Sequence, residues 1–238
     1  MTNTRLKFYS FIILIASLLV ATVIYLDHAI IERHIVASQK KVHDSLSQIN
    51  NNLTFNLYNN IQVVKGLPAL LAVNPSLTQQ EFETATEQLF DEHTQLRNIA
   101  AAPDLVIKFM YPIEGNEAAI GLDYRSLPSQ IDSVLKAKES HELVLAGPLK
   151  LVQGGMGLIS RLPVYLKNAD GTEFFWGVIA AVIDVNRLYQ RSGLLADDLS
   201  IEISIRGKDG LGKKGEVFFG SSELFDQDNV ESIITLPN

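Results

Sequence analysis

GLISRLPVYL-KNADGT-EFFWGVIAAVIDV, residues 157–185, decides the fold. Two long runs rich in β-branched and aromatic residues flank Asn168-Ala169-Asp170-Gly171. Asp-Gly between such runs is a strong hairpin signal. A third run, ELVLAGPLKLV (142–152), reaches the first through Gln153-Gly154-Gly155-Met156, which is again hairpin chemistry. The reading is a meander of three long antiparallel strands.

Outward from the meander, PSQIDSVLKAKES (128–140) predicts a helix with Ile131, Val134 and Leu135 on one side. DLVIKFMYP (104–112) and AAIGLD (118–123) before it read as strands. Residues 67–100 read as helical. Within them LPALLAVNP closes at Asn74-Pro75, and Thr78 precedes Glu81 at capping-box spacing. Downstream, NRLYQRSGLL (186–195) predicts a short helix. LSIEISIRG (199–207), GEVFFGSS (215–222) and SIITLPN (232–238) read as further strands.

At the other end, residues 8–26 are nineteen without a charge. A helix of that length spans roughly 30 Å, the hydrocarbon thickness of a bilayer. Arg5 and Lys7 precede it and Asp27 follows, which predicts a cytoplasmic N-terminus and residues 28–238 outside. The run is longer than a signal-peptide core and ends in Ile24-Tyr25-Leu26 rather than small residues, so an uncleaved anchor is expected.

Residues 28–66 then read as one long helix ending at Gly66 and Pro68. Ile35, Val42, Leu46, Ile49, Leu53, Leu57, Ile61 and Val64 recur in a heptad-like pattern that stutters into steps of four. Such a helix either pairs with a second copy or packs on its own domain. Asn50 to Asn52, Asn56, Asn59 and Asn60 make it a poor zipper.

The formal charge of −7 argues against a nucleic-acid partner, and the absence of cysteine excludes disulfides and thiolate chemistry. Histidines 28, 34, 43, 93 and 141 form no HExxH or close pair, no GxSxG occurs, and the glycine-rich stretches 154–157 and 209–215 match no phosphate loop. Neither a cyclase nor a kinase signature is present. The expectation is a non-enzymatic span without cofactor or metal.

Three segments in order resemble the bacterial CHASE family, the cyclase/histidine-kinase-associated sensory extracellular domain: 102-APDLVIKFMYPIEGNEAAIGLDYRSLP-128, 145-LAGPLKLVQGGMGLISRLPVY-165 and 174-FFWGVIAAVID-184. The resemblance implies an α+β sensor with a long signalling helix and two PAS-like antiparallel-sheet units. Mapped here, 1–27 would be tail and anchor, 28–67 the long periplasmic helix, 68–185 the membrane-distal unit with the pocket, and 186–238 the start of an incomplete membrane-proximal unit. It further implies a bacterial inner-membrane receptor, a homodimer through the helix, and an output absent from this span. That output is often a diguanylate cyclase or histidine kinase.

In the related plant cytokinin receptors an aspartate aligned with Asp123 bonds the ligand, and a backbone contact falls near Leu145. Arg161 stands where the plant pattern has a small hydroxyl residue, which argues against cytokinin. The expected ligand contacts are Asp123, Leu145, Arg161, Lys108, Tyr111 and Ser160. Arg161 could fork onto a ligand carboxylate, pair internally with Asp123 or Glu117, or face solvent. Asp123 could equally cap the turn before 124-YRSLPSQ-130, and Trp176 reads as core.

Overall fold

The computed structural model describes residues 2–74, 76–91 and 94–236, with side chains described from residue 14 onward apart from Ala16. The chain divides into two units, Met1–Leu46 and Ser47–Asn238. Helix α1 (Thr2–Gln62) supplies the first. There Leu18, Val23, Tyr25, Ile30, Ile35 and Val36 are exposed. Among the described residues no helix is long and apolar enough to cross a membrane. Part of the expected span 8–26, namely the side chains of 8–13 and Ala16, lies outside those described.

The second unit is α+β, with an antiparallel sheet packed on the end of the long N-terminal helix. Its elements after α1 are α2 (Leu67–Val73), α3 (Gln79–Glu87), β1 (Leu96–Pro103), β2 (Phe109–Tyr111), α4 (Pro128–Ser140), β3 (Val144–Lys150), β4 (Met156–Lys167), β5 (Glu173–Asp184), α5 (Val185–Ser192), β6 (Ile205–Arg206) and β7 (Val217–Phe219). The five-stranded sheet has the order β2-β1-β5-β4-β3, with every neighbouring pair antiparallel. The meander and α4 stand where the sequence places them. Thr78 and Glu81 form the expected capping box on α3.

Three expectations are corrected. Residues 96–100, the end of the stretch read as helical, belong with 101–103 to a central strand between β2 and β5. Alanine favours helix by less than about 1 kcal/mol per residue, a weak preference that sheet pairing on both sides overrides. The strand is buried on both faces, so it shows no polar alternation to betray it. Next, strand structure in 104–112 is confined to Phe109–Tyr111. Asp104 and Leu105 turn at positive φ, and residues 106 and 123 form an isolated bridge. AAIGLD is not a strand: it completes a 3-10 turn (Glu117–Ala119) and continues as a tight turn to the bridge at Asp123. Last, strand structure in 199–236 is confined to the two-stranded β6–β7 ribbon, the rest being 3-10 turns and irregular chain, and 232–236 is not strand.

Register sorts the sheet into two faces, because side chains of paired residues in an antiparallel ladder point the same way. Ile99, Ala101, Phe109, Ile179, Ala181 and Ile183 face the helices. There they join Ile49, Leu53, Leu57, Ile61 and Val64 of the α1 end and the turn after it in the main core. The asparagines of α1 lie along the same docking line. Asn50 Nδ2 donates to Ser232 Oγ (2.7 Å), Asn56 Nδ2 to Ser192 Oγ (3.1 Å) and Asn60 Nδ2 to Gln95 Oε1 (2.6 Å). Asn60 Oδ1 accepts from the Gln95 N–H at 3.0 Å. The opposite face carries Asn98, Ala100, Met110, Ala180, Val182, Ile159 and Arg161, covered by α4 and segment 104–127. Close packing of β5 on β1 depends on Gly177, where a Cβ would fall 2.1 Å from the Ala102 carbonyl oxygen. Asp209, from the ribbon region, accepts from the Gly147 N–H at 2.7 Å and so holds that loop on β3.

Candidate functional site

On the face away from α1 the apolar residues do not merge into one core. Ala100, Ala102, Ile107, Met110, Tyr124 and Val134 form one cluster, and Leu151, Ile159, Ala180 and Val182 another. A cavity of about 30 Å³ lies along the seam and draws its wall from both. That is room for roughly two water molecules. Three small side chains keep this seam open: Ala100 and Ala180 on the strands and Ala119 on the covering turn.

Polar groups gather at two places on this face, one at an end of the cavity and one behind its wall. At one end Asn98 Nδ2 donates to Asn116 Oδ1 (2.7 Å), which also accepts from Gln153 Nε2 (3.2 Å). Asn116 Nδ2 donates to the carbonyls of Pro112 and Glu114, which sets the orientation of this amide chain. Asn98, 1 % exposed, keeps an Oδ1 with no donor among the described residues. Arg97, next along β1, donates to the carbonyls of Gln153 and Gly154 and anchors the turn that carries Gln153.

Arg161 stands directly behind the cavity wall rather than on it. It is fully buried, and its cross-strand partner Ala180 and its neighbour along the face, Ile159, both line the cavity. Nε donates to Ser133 Oγ at 2.8 Å and Nη2 to Gln130 Oε1 at 2.7 Å. The guanidinium lies 4.7 Å over the Tyr124 ring, within cation–π range. Nη1 has no hydrogen-bond partner, and among the described residues no carboxylate is within ion-pair distance. Arg161 therefore neither faces solvent nor pairs with Asp123 or Glu117. Gln130 and Tyr124, which hold it, themselves line the cavity.

The other expected contacts lie elsewhere. Asp123 caps the 3-10 turn Tyr124–Ser126, accepting from the Arg125 N–H (2.9 Å) and Nε (2.8 Å). The Arg125 side chain, and then its N–H, hold the Asp123 carboxyl below the usual carboxylate range. Leu145, Ser160 and Tyr111 belong to the helix-side face. Leu145 pairs with Ser160, and Tyr111 packs edge-on against Phe90 at 5.1 Å. Lys108 is exposed, with Nζ 5.0 Å from the Phe109 ring. Asn98, Asn116, Gln130 and Gln153 were missed. One signal was available: Asn98 is the lone amide in 96-LRNIAAAP-103, which marks a buried polar position once that run is read as a strand. Among the described residues no cluster of histidine and acidic side chains is placed to hold a metal.

Residues 103–219 match the family model for the CHASE domain, a span that contains every residue of the cavity wall except Asn98 and Ala100. No curated protein sequence matches the chain. Among solved structures, an extracellular ligand binding receptor from Desulfohalobium retbaense DSM5692 superposes with a TM-score of 0.58 at 20% identity, over 70% of this chain and 29% of that one. It supports the fold, and this chain spans under a third of that receptor's length. The sensor domain of the V. cholerae histidine kinase DctB (TM-score 0.44, 15% identity, 65% of this chain and 60% of that one) is a slighter similarity. So is the sensory domain of the Campylobacter jejuni chemoreceptor Tlp3 (0.49, 11%, 82% and 76%). Neither is close enough to bear on the fold.

Proposed function

We propose, from the premise that residues 103–219 of this chain are a CHASE domain and so an extracellular sensory domain, that the chain is the small-molecule-sensing part of a membrane-bound signalling receptor. In this reading the uncharged run 8–26 is the inner-membrane anchor, 28–67 the periplasmic signalling helix, 68–185 the membrane-distal sensor unit and 186–238 the start of the proximal one. The exposed apolar side chains between Leu18 and Val36 support contact with lipid and with a second copy of the helix. A cytoplasmic diguanylate cyclase or histidine kinase would receive the signal.

One observation carries the reading: a single sheet has the cavity on one face and the signalling helix on the other. Arg161 and Ser160 are consecutive on β4 and face opposite ways. A ligand larger than two waters must move part of the cavity wall. The strands are locked by ladders, so the movable parts are segment 104–127 and the 151–153 turn, where Val152 is half exposed. Closed and opened walls are then the two states whose balance a ligand shifts, by its difference in affinity for them. The Asp123 turn lies in the movable wall beside Tyr124, which gives it a place in the switch without a direct ligand contact.

The test is a thermal-unfolding screen of the full chain against small metabolites, run beside Ala180→Val, which places two methyl groups in the cavity. Stabilisation by a metabolite that Ala180→Val abolishes supports sensing at this site. A hit that the variant retains places binding elsewhere and refutes it, and so does a broad screen without any hit.

A further inference from the structure

We infer that the ligand is a small organic carboxylate, held at one end by the unpartnered Nη1 of Arg161 and at the other by Asn98 Oδ1 through a hydroxyl or amine hydrogen. The inference rests on the cavity being the sensing site and assigns the chemistry of what enters it.

Charge comes first. Arg161 is 0 % exposed, and its hydrogen-bond partners Gln130 and Ser133 and its stacking partner Tyr124 are all neutral. A buried cation without a counter-charge is costly, and proteins keep one where something else supplies the charge. Ser133, Gln130 and Tyr124 fix the plane of the guanidinium and leave one amino group over. That pre-organised donor suits a planar carboxylate. A phosphate, with more oxygens to satisfy, would find too few donors.

The far end has the opposite need. Asn98 Nδ2 is committed to Asn116, so its free Oδ1 can only accept. It lies two strands from Arg161, roughly 10 Å across the sheet. Between the ends the wall is apolar, from Ala100, Ile107, Ile159, Ala180 and Val182. A carboxylate, a short apolar body and a terminal donor fit that order, as in a short hydroxy acid.

The probes are 4-hydroxybutyrate and propionate, each set against its primary amide, with inorganic phosphate as a further anion. Thermal unfolding of the full chain is followed with each. A bound acid at about 100 times its dissociation constant raises the midpoint by several degrees. The expected result is a rise with the acids, larger for the hydroxy acid, and none with the amides or phosphate. Arg161→Gln abolishes the rise. Should Arg161→Gln fail to fold, the acid–amide comparison on the unaltered chain decides alone. Amides as effective as acids, phosphate as effective as carboxylate, an acid effect retained by Arg161→Gln, or no response to either acid overturns the assignment. An amide response lost in Ala180→Val removes the carboxylate but leaves the cavity as the sensor. An acid response retained in Ala180→Val removes the cavity itself.

Discussion

The two faces of the five-stranded sheet are built to different standards. On the helix side, large apolar side chains interlock with the end of α1 and Asn60 bonds Gln95, while Asn50 Oδ1, Ser160 Oγ and Tyr189 Oη are buried there without a partner among the described residues. On the other side, alanines stand where bulk would close the gap, two small clusters fail to merge, and a buried cation, Arg161, keeps an unpaired nitrogen and Asn98 an unpaired Oδ1. Close packing is the ordinary condition of a protein interior, and buried polar groups are ordinarily satisfied. The faces therefore differ in packing and in charge: one is filled with apolar bulk, and the other keeps a seam and a buried cation, which is where the proposed sensing site lies.

That contrast can be broken most directly at Ile61, which is fully buried on the helix side. Ile61→Ala should cost about 3–4 kcal/mol in a urea melt. A loss under about 1 kcal/mol would mean that this face is no better packed than its opposite. Next in size is an effect of alkali on Tyr189, which packs in the same helix-side core. Burial of its hydroxyl pushes the pKa up to about 12. The folded value lies above the unfolded one of about 10, so the folded state binds the proton more tightly. The stability this provides is complete below pH 10 or so and is lost as the pH climbs through 12, a fall of roughly 2–3 kcal/mol. Tyr189→Phe should flatten that part of a stability–pH curve.

The interior of the contrast can also be read from the sequence. The meander was legible because Asp170-Gly171 and Gly154-Gly155 punctuate long β-branched runs. Helix α4 was legible because its apolar spacing and Pro128 agree. β1 was not, since Ala100 to Ala102 favour helix locally and a strand buried on both faces shows no alternation. The site was half legible. Arg161 stood out as a charge in an apolar run, whereas the amides that complete its surroundings are ordinary residues until register brings Asn98 onto the same face. The asparagines of α1, which spoil a zipper, are its hydrogen bonds to residues far along the chain, a role that no local pattern discloses.

Those asparagines sharpen the comparison further. Asn60→Ala removes the acceptor of the Gln95 N–H and the donor to Gln95 Oε1 and should cost about 1–3 kcal/mol in the same melt. On the ligand side Arg161→Met should behave differently. It gives up two hydrogen bonds and also the burial of an uncompensated charge, so the net change should stay within about 1 kcal/mol. A loss of the helix-side size would mean that Arg161 is a structural tie for α4. The smallest effect belongs to Asp123→Ala at the exposed turn. The carboxyl's folded pKa is depressed by Arg125, so its stabilisation is present above about pH 4 and disappears as the pH falls through the folded value. Wild type and variant should therefore converge in an acid titration.

The bond between Asp209 and the Gly147 N–H has a consequence for solubility. β3 is the outer strand of the sheet, and an open strand edge recruits other chains. The loop 208–210 lies along that edge and occupies one of its donors with a carboxylate. The stretch after α5 thus serves as an edge guard. A chain cut at 198 would keep every strand of the sheet yet present β3 uncovered, ready to add a strand from its neighbour.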